Sequence, residues 1–425
     1  MKKLACLIAA SLLSSSALAE KVAIVGGKVF TMAEQGTLEE GTVLMTDGKV
    51  DRVIKGASAP EGYTVVDAKG KVVTPGLVGS MTSLGLVEVS SSAGVVDAST
   101  EASPITRTGA ALDVSYAVNP DSSLMGITRI EGMTSAATSI TYTDNLFHGQ
   151  GAVITLDGDA PLLKPRAFMV VNVGADGAHE AGGTRAALWV MLENVLEEAA
   201  SVSGKVSPSQ EWHGLNTPAD VNALKAVLNG DMPLLMEADR ASDIRQIIAF
   251  KKRHSNIDVV LMHGVEAWRV ADELAAADIP VILDPEYNLP GGFDQMGATL
   301  ANAARLEAAG VTVAVGMDTH NIRLATQHAG NAVANGLSYE GGLASLTRAP
   351  AAILGVDDML GSLASGKRAD VVIWSGDPLE VTQVAEQVFV NGEAIEMESR
   401  QTRLRDRYLA VQEDEGKTPT HFVRP

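Results

Sequence analysis

The sequence predicts an α/β protein, a (β/α)8 TIM-type barrel joined to a small β-sandwich that the two chain ends build together. Three observations predict it. Short apolar runs (Pro233 to Glu237, Ile257 to Met262, Ile279 to Leu283, Val311 to Val315) alternate with helical runs (Ala241 to Arg253, Glu266 to Ala277, Ala298 to Ala309). Such alternation is the pattern of a parallel sheet covered on both faces. The span 75–358 is close to the ~250 residues that eight such units need. Both chain ends, finally, read as hairpins with no helical period, and isolated hairpins are marginal in water.

The chain opens on a segment outside that fold. Lys2 and Lys3 precede the apolar run Leu4 to Leu13, and Ala17-Leu18-Ala19 has the small residues of a cleavage site. Residues 1–19 therefore read as a signal peptide that leaves Glu20 first and sends the mature chain to the periplasm. Cys6 is the only cysteine and falls within it, so disulfides and thiolate chemistry are excluded from the mature protein. The chain has 52 Asp+Glu against 33 Lys+Arg, and loss of Lys2 and Lys3 takes the net charge from −19 to −21. That balance suits neither nucleic acid nor, after signal removal, a membrane surface. A small-molecule ligand remains, with a homo- or hetero-oligomer left open.

Residues 20–74 form the first part of the sandwich, with an Asp47-Gly48 hairpin signal. Residues 359–397 form the second, with strand Ala369 to Trp374 and a turn at Asn391-Gly392. Between them lies the barrel, residues 75–358. Its first half is harder to parse: Gly132 to Ile140, Ala152 to Leu156 and Ala167 to Val173 read as strands, and Gly183 to Ala200 as a helix. Residues 398–425 read as a helix to about Gln412 and a loose tail.

In a barrel of this kind the chemistry sits at the carboxyl ends of the strands. Those positions are Met81 and Ser83 for strand 1, then Glu237, His263, Asp284 and Asp318 for strands five to eight, with His320 close behind. His148, His179 and His213 lie in loop-like stretches and read as exposed histidines. His254 ends a helix, where a cation complements the dipole. The stretch Asn288 to Phe293 reads as a lid over the mouth or a plain long loop.

Several of these stretches resemble the amidohydrolase superfamily, in its periplasmic, imidazolonepropionase-like branch. Pro75-Gly76-Leu77-Val78-Gly79-Ser80-Met81-Thr82-Ser83 resembles the strand-1 signature P-G-L-[IV]-D-x-H-x-H, with Met81 and Ser83 at the two metal-binding histidines. Glu237-Ala238-Asp239-Arg240-Ala241-Ser242-Asp243-Ile244 is similar to V-H-A-x-R-A-x-D-I, with Glu237 at the histidine. Gly361 to Asp370 is similar to G-x-[IL]-x-x-G-K-x-A-D, and Val315 to His320 to the strand-8 segment. The resemblance implies a hydrolase acting on carbon–nitrogen bonds other than peptide bonds, in cyclic amides or N-capped amino acids. It implies Asp318 as general base and Glu237, His263 and Asp318 as ligands of at most one divalent ion (zinc, manganese or iron), or of none. His320 and Arg323 would contact substrate. Lys164 has the residue type of a bridging carboxylated lysine but directly precedes Pro165 and reads as a surface lysine. Glu237, His263 and Asp318 remain open to three readings: a reduced metal site, a metal-free binding site, or residues bonded to one another. The alternative to a hydrolase is a silent barrel that binds a small molecule or serves as the inactive subunit of an active relative.

Overall fold

The structure is a computed structural model and describes residues 21–88, 96–100 and 105–413; the expected signal peptide and the tail after 413 lie outside them. Five strands precede the barrel: β1 (Lys21–Phe30), β2 (Thr37–Thr46), β3 (Lys49–Lys55), β4 (Thr64–Asp67) and β5 (Val72–Pro75). Asp47 and Gly48, at φ 52° and 74°, close the β2–β3 hairpin, as an Asp-Gly pair between apolar runs requires. After the single residue Gly76 the chain enters β6 (Leu77–Thr82), then β7 (Ser99–Thr100), β8 (Met133–Thr138), β9 (Tyr142–Thr143), β10 (Phe147–Thr155) and β11 (Leu162–Asn172). A helical stretch follows, then β12 (Leu234–Ala238), β13 (Val259–His263), β14 (Val281–Leu283) and β15 (Val313–Val315).

β7 and β9 form a separate ribbon, and the other eight lie side by side in the order β6-β8-β10-β11-β12-β13-β14-β15. A bridge between Ser80 and Gly316 brings the two edges together. Ser80 Oγ also donates to the Val315 carbonyl at 2.8 Å, so the barrel is nearly closed. Its interior is apolar, with Val78, Met81, Val153, Val170, Leu235 and Ile282 in one cluster. Outside, helix Arg185–Ser201 turns Leu188, Leu192, Val195 and Leu196 inward, the i, i+4, i+7, i+8 stripe of a helix on a sheet. Helix Ala241–Arg253, with Ile244, Ile247 and Ile248 buried, keeps the bounds its periodicity predicts. Among the described residues no helix is long and apolar enough to cross a membrane.

One expectation is corrected. The barrel is not wholly parallel, because β10 runs antiparallel to both of its neighbours, β8 and β11. Parallel neighbours need a crossover of a dozen or more residues. The links 139–146 and 156–161 are shorter than that, so the chain turns back twice. The second reversal is marked by Asp157-Gly158, with Gly158 at φ 81°.

Three strands after the barrel complete the other sheet: β16 (Val371–Trp374), β17 (Ala385–Val390) and β18 (Glu393–Ala394). β16 pairs antiparallel with β5, Ile373 opposite Val73, so both ends of the chain share one sheet, as their separate incompleteness requires. A bridge between Lys49 and Arg368 folds one end of it back over a core that includes Ile24, Val43, Val73, Val371 and Phe389. Helix Arg400–Glu413 follows.

Candidate active site

Parallel pairing sets the strand ends in register. Asn172 at the end of β11 lies beside Glu237 of β12, and Ala238 beside His263 of β13. Asp284 comes directly after β14, and Asp318 three residues after β15. The register makes Asn172 and Glu237 partners: Asn172 Nδ2 donates to Glu237 Oε2 at 2.9 Å. Asn172 Oδ1 accepts from the amides of Gly174 and Gly177 at 2.9 and 3.1 Å. Both ends of the amide are thus committed, and Glu237, buried in the barrel wall, is held in place.

Glu237 has a second neighbour. His148 Nδ1 lies 3.9 Å from its Oε1 and 3.1 Å from the Ile140 carbonyl, to which its N–H donates. The expectation of an exposed loop histidine is overturned, since His148 is on β10 and only 7% exposed. The reversal of β10 explains it: the amino end of an inverted strand lies at the mouth, with the carboxyl ends of the others.

His263 adopts φ 70°, a left-handed conformation that costs a non-glycine residue energy. Its Nε2 is shut off from solvent and has no hydrogen-bond partner among the described residues. Burial favours the neutral ring, but Glu237, Asp239, Asp318 and Asp284 outweigh it and hold the proton to a pH above the usual histidine range. Asp318 keeps an exposed surface yet is crowded by protein on most sides. Its loss of solvation raises the carboxyl above its ordinary range; His263 pulls it down, Glu237 pushes it up and His148 pulls it down, with a net rise. Asp284 accepts from His328 Nδ1 at 2.7 Å and from the Glu286 amide at 3.0 Å.

Of these residues Asn172, Glu237 and His263, with Asp239 and the loop Gly291 to Gln295, line a cavity of about 590 Å³. The loop is fastened. Arg185 pairs with Asp294 and Asp243, and Gln295 Nε2 donates to Asp239 Oδ2 at 2.8 Å. The stretch read as a lid therefore contributes to the cavity wall. His320 and Arg323 do not line the cavity. Arg323 donates to Asn321 Oδ1 and its charge acts on Glu131, while burial and Arg323 lower the proton affinity of His320.

The strand-1 positions are filled differently. Met81, at φ 58° and 4% exposed, packs into the barrel interior, and Ser83 is buried beside it. Lys164 lies at the far end of its strand, its Nζ donating to the carbonyls of Leu354 and Gly355 at 3.1 Å each. His179 and His213 are exposed, as read, although His179 sits on the helix Ala175–Glu180 rather than in a loop, and His254 bonds Glu193 at 2.7 Å. Among the described residues no three His, Cys, Asp or Glu side chains converge closely enough to hold a metal ion. Glu237, His263 and Asp318 share one mouth without closing into a three-ligand cage.

A nearly closed barrel with titratable groups at its strand ends, and a second sheet from both termini, defines a TIM-type barrel protein with a composite terminal sheet. A model of the amidohydrolase family (Amidohydro_3) matches residues 231–395. An amidohydrolase from Thermotoga maritima MSB8 superposes with a TM-score of 0.78 at 25% identity, over 88% of this chain and 99% of that one. A prolidase complexed with N-methylphosphonate-L-proline shares the fold at 16% identity and a TM-score of 0.52, over 88% and 99% of the two chains. A 59-residue stretch, 14% of this chain, is 46% identical to amidohydrolase tasK of Hapsidospora irregularis, and spans only 6% of that relative. The chain belongs to the amidohydrolase superfamily. That family typically binds metal. The donors here do not fit a two-metal site, because Met81, Ser83 and Asn172 offer a thioether, a hydroxyl and a committed amide where zinc wants imidazole or carboxylate.

Proposed function

We propose that the protein hydrolyses a carbon–nitrogen bond outside the peptide class, in a small molecule such as a cyclic amide or an N-capped amino acid. One observation carries this reading: Asp318, with raised proton affinity, and His263, whose Nε2 has no protein partner, belong to the same mouth. Asp318 accepts the proton of the attacking water and passes it to the leaving nitrogen. His263, as imidazolium, donates from Nε2 to the carbonyl oxygen as that oxygen gains charge. Glu237, held by Asn172 and flanked by His148, is among the carboxylates that keep His263 protonated. The altered site takes at most one divalent ion (zinc, manganese or iron), and none of these steps passes through it. The mature chain works in the periplasm from Glu20 onward. Support for that lies in the leader's basic start, apolar run and small-residue cleavage site.

Met81 filling the barrel interior and Asn172 occupying Glu237 favour a second reading. In it the barrel is silent and binds a small molecule, or stands as the inactive subunit beside an active relative. One set of measurements separates the two. The mature protein, Asp318→Asn and His263→Ala are assayed on a panel of cyclic and N-acyl amides, with bound metal measured in each. Turnover that falls ~10²–10⁴-fold in Asp318→Asn supports the hydrolase. A parent that cleaves nothing on the panel and co-purifies with a histidine-complete relative supports the silent subunit. The mass of the periplasmic chain tests the cleavage after Ala19.

A further inference from the structure

Phenylalanine is a residue that folding normally takes out of water. Phe147, Phe168, Phe250 and Phe389 are buried, and Phe30 packs on Tyr339 with ring centroids 5.7 Å apart. Among the phenylalanines of the described residues, Phe293 alone is exposed, at 92%. It is also the one large apolar residue among those that line the cavity, where every other is polar, charged or no larger than alanine. The residue therefore stands at the rim with its ring uncovered. Leu289 and Met296, on the same loop, are exposed as well, but neither lines the cavity.

A second observation separates this ring from an idle surface residue. The chain is fixed on both sides of it. The Gly291 amide donates to Gln295 Oε1 at 2.9 Å, Gln295 Nε2 to Asp239 Oδ2 at 2.8 Å and the Gly297 amide to Glu266 Oε1 at 2.8 Å. Asp294, directly after the ring, pairs with Arg185. Ordering a loop costs conformational entropy, and burial of its largest side chain does not offset that cost here. The polar residues bind the protein while the ring is held outside, pre-set at the edge of a cavity. Beside it, a Cβ atom at Gly292 would meet nothing within 4 Å, so a ligand group has room. The cavity, at about 590 Å³, is of a size for a drug-sized molecule rather than a bare lactam ring. We propose that Phe293 determines substrate specificity: the substrate carries an aromatic or branched aliphatic group beside its amide, and that group packs on the Phe293 ring. The amide then lies at the strand ends. This names the substrate class of the hydrolase reading and rests on it.

Three uncharged lactams that differ in one substituent test the assignment: piperidin-2-one and its 3-isobutyl and 3-benzyl derivatives. Their binding to the mature protein is measured by calorimetry at two temperatures, and hydrolysis is followed separately in the same samples. The benzyl lactam is expected to bind at least about tenfold more tightly than piperidin-2-one, with the isobutyl lactam between them. The heat-capacity change of binding should be more negative for the substituted compounds. Phe293→Ala should remove most of the preference, whereas Leu289→Ala, on the same loop but outside the cavity, should keep it. Equal binding of the three lactams, no binding of the benzyl lactam, a preference that survives Phe293→Ala, or one lost equally in Leu289→Ala overturns the proposal. So does self-association of the mature protein that Phe293→Ala abolishes while the three lactams bind alike, since the ring then belongs to a contact with a second copy. A benzyl preference that depends on Phe293 without hydrolysis upholds the proposal and sinks the hydrolase reading alone. Hydrolysis of piperidin-2-one without any preference does the reverse.

Discussion

Asp318 and Glu237 are both carboxylates at strand ends, yet their surroundings part them. Glu237 has a fixed amide donor in Asn172; Asp318 has no such donor and loses solvation against its neighbours. Because the folded-state proton affinity of Asp318 is raised, the folded chain binds more protons than the unfolded one between the ordinary carboxylate value and the raised one. Stability therefore falls as pH rises through that window. Asp318→Asn removes a carboxylate that opposes folding at neutral pH, so it should melt above the parent at pH 7, with the difference fading below the ordinary carboxylate value. Melting temperatures over an acid-to-neutral series check this; a variant that melts lower at pH 7 contradicts it. If Asp318 is the base, the acid limb of turnover also lies above that of an ordinary aspartate, which a pH–rate profile reads. The type and place of Glu237, His263 and Asp318 were legible from strand ends and motifs. His148 was not, because a histidine between Phe147 and Gly149 shows its role only once its strand is known to be inverted. Asp157-Gly158 was the available signal for that. His328 had none, since a helix residue meets Asp284 only through packing.

At the scale of elements, buried or half-buried carboxylates tie down two segments. The loop Gly291 to Gln295 is tied through Gln295 to Asp239 and through Asp294 to Arg185, and Arg185 also binds the buried Asp243. Arg185→Ala should free the loop while Arg240 keeps Asp243 paired. Faster amide exchange over residues 288–297, with exchange in the barrel strands unchanged, is the expected result; an unaltered loop shows the ion pair to be idle. Asp220 plays the same part for residues 105–111. Fully buried, it accepts from the amides of Arg107, Ala111 and Thr217 at 3.0, 3.0 and 2.9 Å. It also completes a capping box with Thr217. Asp220→Ala leaves several buried donors unpaired and should cost about 3 kcal/mol or more, read from urea unfolding. Periodicity made the helix bounds legible, as in Ala241–Arg253. It was silent on the reach of Asp220 to Arg107 and Ala111, which lie more than a hundred residues away.

For the whole molecule the decisive contact is between barrel and terminal sheet. Gly132, at φ 91°, sits where a Cβ atom would stand 2.6 Å from the ring of Trp374. Trp374 is buried and donates from Nε1 to Thr74 Oγ1 at 2.9 Å. Gly132→Ala combines backbone strain with that collision, and should cost about 1–3 kcal/mol. Unfolding midpoints together with tryptophan emission check it, since the loss should come with a changed Trp374 signal. A variant as stable as the parent would mean that the two units pack less tightly than the glycine implies.

Local pattern alone determined the barrel class and the shared terminal sheet. Period, turn pairs and residue type are properties of neighbours in the chain. Only the tertiary structure decided that β10 is inverted, that His148 and Asn172 flank Glu237, and that Glu237, His263 and Asp318 sit at neighbouring strand ends without forming a metal cage among the described residues. Those outcomes depend on strand direction, register and the angle of side chains from distant segments. A linear pattern carries none of these until the sheet has closed.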